Sequence, residues 1–342
     1  MGLGDTVQLA HGGGGTLSRE LIEELLLPAF GPADGVLHDA ALFAPPGGQL
    51  AFSTDSYVVR PLFFPGGDIG RLSVFGSVND LAMVGAKPLA LSLGLILEEG
   101  LAMNSLAKVI ASIRDAAYEC GVAVLTGDTK VVERGKGDGV FINTSAVGAV
   151  EHNLSIHPSS VRPGDAVLVS GDLGRHGVAI LEARQELGLE GVLPSDLACL
   201  QGSVQALIAA DLDVHCLRDL TRGGLASAID EIARAAGCCV ELEETAIPLA
   251  PAVAATCELL GLDPLAMANE GRMLVICPEE NAEPALQLLR CQCPAAARVG
   301  SVVGRCRPDS ALDQRHPVRL RGRLGVLRPL DVGRGEQLPR IC

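Results

Sequence analysis

The chain has 342 residues, 48% of them hydrophobic and 20% charged, a balance that excludes a disordered protein and suits about two ordinary domains. Its 41 acidic side chains against 27 basic ones give a formal net charge of -14, which excludes nucleic-acid binding through a basic surface. No apolar run approaches the roughly 18–20 residues of a membrane span and the start carries no basic-then-apolar leader, so the expected location is the cytoplasm.

Residues 1–16 are polar and Gly-rich through His11-Gly12-Gly13-Gly14-Gly15. Leu17, Leu21 and Leu25 on one face, with Glu20, Glu23 and Glu24 opposite, predict a helix. Residues 50–54 and 89–97 read as strands, with a helix of small residues over 69–84 between them. Leu106, Val109, Ile110, Ile113 and Ala117 mark another helix. Residues 122–125 predict a short strand ending at Thr126-Gly127-Asp128, and 141–150 close the first half. The polar turn His157-Pro158-Ser159-Ser160 marks a boundary. Beyond it come an apolar strand over 165–170, the turn Gly171-Asp172-Leu173-Gly174 and a helix near 178–187. Leu225, Ile229, Ile232, Ala233 and Ala236 repeat at helical spacing, and 240–242 and 273–277 read as strands. From about 309 the chain is Pro/Gly/Arg-rich, and it ends Leu338-Pro339-Arg340-Ile341-Cys342. The expected division is therefore an N-terminal segment and helix (1–32), two mixed domains (33–155 and 160–308), and a C-terminal segment with a mobile tail (309–342).

The eleven cysteines are scattered and mostly set in apolar runs, which predicts reduced thiols rather than a disulfide framework. Cys238-Cys239 and Cys291-Gln292-Cys293 lack the spacing of a zinc site.

Four carboxylates, Asp39, Asp55, Asp80 and Asp128, each stand at the edge of an apolar run. Taken singly, each is better explained as a helix cap or a turn residue. As a set, carboxylates converging at strand ends would repel one another unless a hard cation such as Mg²⁺ lay among them, bridging to phosphate oxygens. No GxxxxGK[ST] motif is present, which excludes a P-loop ATPase. Gly12-Gly13-Gly14-Gly15 and Thr221-Arg222-Gly223-Gly224 each precede a helix and are weak candidate phosphate cradles. Lys130 follows Asp128 closely and Glu270 precedes an apolar strand; both residue types are ordinarily solvated. Cys342 is the last residue of a Pro/Gly-rich tail, where a thiol can reach a distant site.

Several segments together resemble the HypE family of hydrogenase-maturation proteins: Phe52-Ser53-Thr54-Asp55-Ser56-Tyr57, residues 63–100 with Asn79-Asp80 and Leu97-Glu98-Glu99-Gly100, Thr126-Gly127-Asp128-Thr129-Lys130, Asp219-Leu220-Thr221-Arg222-Gly223-Gly224, Ala268-Asn269-Glu270-Gly271, and the terminal Pro339-Arg340-Ile341-Cys342. The resemblance implies a two-domain α+β PurM-like fold and a homodimer built on the N-terminal domains, with ATP near that interface. It further implies that HypF carbamoylates Cys342 and that ATP, with Mg²⁺ on Asp39, Asp55, Asp80 and Asp128, drives dehydration of the thiocarboxamide to a thiocyanate. The cyano group then passes to the HypC–HypD complex for a NiFe hydrogenase. Catalysis falls by resemblance to Cys342, Glu270 and Lys130, and nucleotide binding to Asn79, Asn143, the two Gly-rich segments, Thr221 and Arg222. One departure is His38, where relatives often carry an acidic residue beside Asp39. Residues 179–215 and 281–320 carry few family signature positions. The alternatives are another PurM-like enzyme, a selenophosphate synthetase or small-molecule kinase, and a non-catalytic thiol carrier.

Overall fold

The structure is a computed structural model describing residues 4–12, 16–30, 47–184, 193–307, 309–332 and 338. Gly13, Gly14, Gly15, Asp39 and Cys342 lie outside the described residues. The chain divides into two units, the first within residues 1–81 and 86–151, the second within 82–85 and 152–339.

The first unit has a 3-10 turn (Leu9–Gly12) and then helix α1 (Thr16–Leu21), which continues through a wider π-helical stretch (Ile22–Leu26) into α2 (Leu27–Phe30). Then follow β1 (Gln49–Tyr57), a small hairpin of β2 (Phe63–Phe64) and β3 (Gly67–Asp68), α3 (Ile69–Ala82), β4 (Lys87–Glu98), α4 (Met103–Glu119), β5 (Ala123–Val132) and β6 (Val140–Val150). The four long strands lie in the order β1-β6-β4-β5. Only β4 and β5 are parallel, as a strand–helix–strand crossover through α4 requires.

One face of α4 is apolar at helical spacing. Leu106, Val109, Ile110 and Ile113 are at most 1% exposed, each burial contributing roughly 1.5–3 kcal/mol. Asn104, Lys108, Arg114 and Asp115 on the other face meet water. By contrast α3 is buried around most of its girth, so its hydroxyls need internal partners. Ser73 Oγ donates to the Gly70 carbonyl (2.9 Å), and Ser77 Oγ pairs with Thr144 Oγ1 on β6 (2.7 Å).

Several strands run longer than the sequence predicts, and two of the extensions bear on the site. β1 extends from 54 to Tyr57, and β5 passes through Thr126-Gly127-Asp128 to Val132 instead of ending there. A Cβ at Gly127 would lie 2.5 Å from the Leu93 carbonyl oxygen, so glycine lets β5 keep its register with β4. Asp55 and Asp128 are thus mid-strand residues, and Asp80 belongs to the last turn of α3, not to the edge of a run.

The second unit carries, in order, β7 (Ala166–Val169), α5 (Arg175–Ala183), α6 (Gln201–Ala209), β8 (Cys216–Asp219), α7 (Gly224–Ala236), β9 (Cys238–Glu243), α8 (Pro251–Leu260), β10 (Met273–Cys277), α9 (Glu279–Gln292), β11 (Ala297–Arg305), α10 (Ala311–Arg315), β12 (Val318–Arg321) and β13 (Leu327–Pro329). Its seven-stranded sheet has the order β13-β12-β9-β11-β7-β10-β8, antiparallel except for β12 on β9. Both faces are covered. Val167, Val169, Leu274 and Ile276 pack with Leu225, Ile229 and Ile232 of α7, whereas Leu168, Met273, Val275 and Cys277 pack with Val204 and Leu207 of α6 and Leu286 and Leu289 of α9. That is why β7 and β10 read as unbroken apolar runs rather than alternating ones. The segment from residue 309 contributes β12 and β13 to this sheet.

Candidate active site

In the first unit, β1 presents Ser53 and Asp55 on one face, since they are two residues apart on a strand. Ser53 Oγ donates to Asp80 Oδ2 at 2.5 Å, which brings the end of α3 over the edge strand β1. Ser53 therefore links Asp80 to the strand face that carries Asp55. Asn79 is buried beside Asp80 in the same helical turn. Asn143 of β6 projects from the opposite, solvent-facing side of the sheet, where its amide donates to the Asp55 carbonyl (2.9 Å) and Ser56 Oγ (3.0 Å).

Asp128 and Lys130 stand on β5, the other edge strand, with β6 and β4 between them and β1. Lys130 Nζ reaches both Asp128 oxygens, at 2.8 and 2.7 Å, and this hydrogen bond holds the Asp128 carboxyl below its usual range. The structure sets Asp80 against Ser53, two residues from Asp55 on the same face of β1, and leaves Asp128 on the other edge strand of the unit. Glu98, at the end of β4, closes the loop that follows β5. Its carboxylate accepts the N–H groups of Gly135 (2.5 Å) and Gly139 (3.0 Å), which keep its pKa low.

In the second unit, the Thr221-Arg222-Gly223-Gly224 turn and the Ala268-Asn269-Glu270-Gly271 segment are brought together. Gly223 and Gly224 hold positive φ angles of 73° and 56° at the start of α7. A Cβ at Gly224 would lie 2.4 Å from the Met267 carbonyl oxygen, so this turn can press on the second segment only as glycine. Asn269 is fully buried and ties three loops: its Oδ1 accepts the Gly174 N–H (2.7 Å), and its amide donates to the carbonyls of Leu220 (3.1 Å) and Met267 (2.9 Å). Glu270, the next residue, is 3% exposed at the entrance to β10.

Among the described residues no group of three or more His, Cys, Asp or Glu side chains is placed to hold a metal ion. Two carboxylates beside one another suit Mg²⁺, which is typically held by one or two carboxylates with substrate phosphates and water completing its shell. Asp55 and Asp80 meet that requirement in donor type, and Asp80 contacts Ser53, which shares a strand face with Asp55. No helix of the described residues is long and apolar enough to cross a membrane.

Two family models match the chain, those of the AIR synthase related protein N-terminal domain over residues 37–150 and C-terminal domain over residues 162–313. Along nearly its whole length the chain is 49% identical to carbamoyl dehydratase HypE of Rhodobacter capsulatus, over 342 residues covering 99% of this chain and 98% of the relative. The chain belongs to the HypE family. A crystal structure of HypE in complex with ATP has 47% identity and a TM-score of 0.92, covering 98% of this chain and 100% of that chain. A crystal structure of a HypE–HypF complex matches at 39% identity and a TM-score of 0.77, covering 91% and 99%. The fold is the two-domain α+β PurM-like fold of the HypE family.

Sequence motifs singled out Asp80, Asp128, Lys130 and Glu270 but missed the groups around Glu270. Asp172, Asp196 and Arg272 form a buried network there, and Asp196 falls in a stretch with no motif or periodicity. The available signal was a charged residue, Arg272, directly before the apolar run 273–277, where a buried partner is required.

Proposed function

We propose that the chain is an ATP-dependent carbamoyl dehydratase that converts an S-carbamoyl group on its own Cys342 into an S-cyano group. The observation that carries this reading is identity of nearly half over almost the full length with carbamoyl dehydratase HypE, joined to a matching HypE structure that contains ATP. An amide oxygen is a poor leaving group. The carbamoyl oxygen therefore attacks the γ-phosphorus of ATP, ADP departs, and the oxygen leaves as phosphate while two protons are lost from the nitrogen. In sum, thiocarboxamide and ATP give thiocyanate, ADP, phosphate and one proton.

Glu270 is the residue we assign to accept protons from the nitrogen. It is 3% exposed, so few water molecules can reach its carboxyl group. Lys130 we assign to stabilise charge that develops during transfer. Asp55 and Asp80 would hold Mg²⁺, with Asp39 and Asp128 included in the same assignment by family resemblance; when bound, the ion neutralises charge on the transferring phosphoryl group. Gly12–Gly15, Asn79, Asn143, Thr221, Arg222, Gly223 and Gly224 are assigned to the nucleotide on the same ground.

HypF is proposed as the carbamoyl donor, in keeping with the matching HypE–HypF complex, and the HypC–HypD complex as the cyanide acceptor. A homodimer through the first unit is supported by apolar side chains exposed, among the described residues, on one face of its sheet: Phe52 is 70% exposed with Leu50 two residues away on β1, and Ile96 of β4 is exposed further along. The test is the mass of the C-terminal peptide after carbamoylation by HypF, with and without Mg-ATP. Loss of one water only with ATP is expected. Carbamoylation without any ATP-dependent loss would mean a carrier instead of an enzyme.

A further inference from the structure

Asp196 has a side chain with no exposed surface. Its Oδ1 accepts the backbone N–H of Glu270 at 3.1 Å, across 74 residues of sequence. Its Oδ2 has no hydrogen-bond partner among the described residues and faces Arg272 Nε at 3.9 Å. Arg272 is itself largely buried and spreads its donors: Nη1 to the Gly271 carbonyl (2.9 Å), Nη2 to Asp172 Oδ1 (3.0 Å) and Nε to the Asp172 carbonyl (3.0 Å). Around one residue, Glu270, the backbone is thus held from both sides. Asp196 accepts the Glu270 N–H, Arg272 donates to the carbonyl of the next residue, Gly271, and the Ala198 N–H points at the Glu270 carbonyl from 3.5 Å.

The clamp is itself pinned. Ser195 Oγ pairs with His176 Nδ1 of α5 (2.9 Å) and accepts the Leu197 N–H (3.1 Å), so residues 195–198 are tied to a helix rather than left as free loop. A buried ion costs several kcal/mol in desolvation, far more than a neutral acceptor would. One N–H does not need a carboxylate. The arrangement makes sense when the carboxylate also orders a guanidinium whose other donors fix the residue following Glu270.

We propose that Asp196 and Arg272 are positioning residues for Glu270, holding its backbone so that the carboxylate is presented in one orientation to the carbamoyl nitrogen. The proposal rests on the reading of Glu270 as the proton acceptor. A misplacement of a reacting group by about 1 Å can lower a rate on the order of a hundredfold, so a backbone clamp is sufficient to matter without touching substrate.

The test uses the full-length chain carbamoylated on Cys342 by HypF. Water loss is followed by mass in a single turnover with excess Mg-ATP, and ATP affinity is measured by calorimetry. Asp196→Ala is expected to slow dehydration at least about tenfold with ATP affinity intact. Asp196→Asn keeps an acceptor oxygen for the Glu270 N–H and recovers most of the rate. Arg272→Lys keeps the charge but cannot serve Gly271 and Asp172 together, and slows as Asp196→Ala does. Native rates in Asp196→Ala and Arg272→Lys, alongside an inactive Glu270→Gln, overturn the positioning role. Rate and ATP affinity falling in step also overturn it, since that marks general damage. A native rate in Glu270→Gln overturns the underlying reading of Glu270 instead. Should Asp196→Ala fail to fold, Arg272→Lys decides: slowed with ATP affinity intact supports the role, and a native rate overturns it.

Discussion

Lys130 Nζ lies 2.8 and 2.7 Å from the two carboxylate oxygens of Asp128, two residues back along the same strand. Alternation along β5 puts both side chains on one face, and both are mostly exposed, at 64% and 70%. Exposed ion pairs contribute about 0.2–1 kcal/mol, so stability gives little reason for this one. Lys130→Met should leave the thermal midpoint within about 4 °C of native. ATP-dependent water loss from carbamoylated Cys342 should nevertheless fall at least about tenfold. A native rate would remove Lys130 from the chemistry.

Asp80 is held by Ser53, two residues from Asp55 on β1, and that contact gives the metal assignment its sharpest test. Asp80→Asn retains an oxygen to accept from Ser53 Oγ but loses the charge that attracts Mg²⁺. Mg-ATP binding by calorimetry should weaken at least about tenfold, while Ser53→Ala weakens it less. Removing Mg²⁺ with a chelator should reduce ATP affinity of the native chain and leave Asp80→Asn nearly unaffected. Equal responses of the two chains to the chelator would place the ion elsewhere.

What could be read from the sequence followed from how each segment is buried. Helices α4 and α7 each have one apolar stripe at 3.6-residue spacing, so Leu106 to Ala117 and Leu225 to Ala236 announced them. β10 matched its predicted range of 273–277 because both of its faces are covered and the run is continuous. Helix α9 was hidden by Pro284, which normally punctuates a helix but here sits within its second turn. Glu270 was legible as part of a motif, whereas Asp196 was not, because its defining partner is a backbone N–H 74 residues away. The separation of Asp55 and Asp128 onto opposite edge strands was also invisible, since strand order depends on pairing and not on local pattern.

Asp196 carries a pH signature. Burial pushes its pKa from 3.8 up to about 6, with the nearby Asp172 acting in the same direction and Arg272 and the Glu270 N–H opposing it. A raised carboxyl pKa means that the folded chain holds a proton the unfolded chain has released. Asp196 therefore makes stability fall as pH rises from about 4 to 6, by about 3 kcal/mol in all, and stay lower above that window. Asp196→Asn lacks this titration. Denaturant unfolding of the two chains between about pH 4 and pH 7 should show the native chain losing stability relative to the variant as pH rises. A difference that does not change with pH would mean that Asp196 does not titrate in this range.

Gly271 closes the clamp around Glu270, and its replacement separates packing from chemistry. A Cβ at this position would lie 1.9 Å from the Asp196 carbonyl oxygen and 2.6 Å from the Ala198 nitrogen. Both are backbone atoms of a segment that Ser195 ties to α5, so no flexible side chain can yield. Overpacking typically costs about 1–3 kcal/mol, and here the backbone must shift to relieve it. Gly271→Ala should therefore lower the denaturant midpoint and also slow dehydration, because the shift displaces the Asp196 oxygen from the Glu270 N–H. Combining it with Asp196→Ala should slow the reaction little more than either change alone, since both break one contact. Rates that multiply in the double variant would show that Gly271 acts on Glu270 by a route other than Asp196.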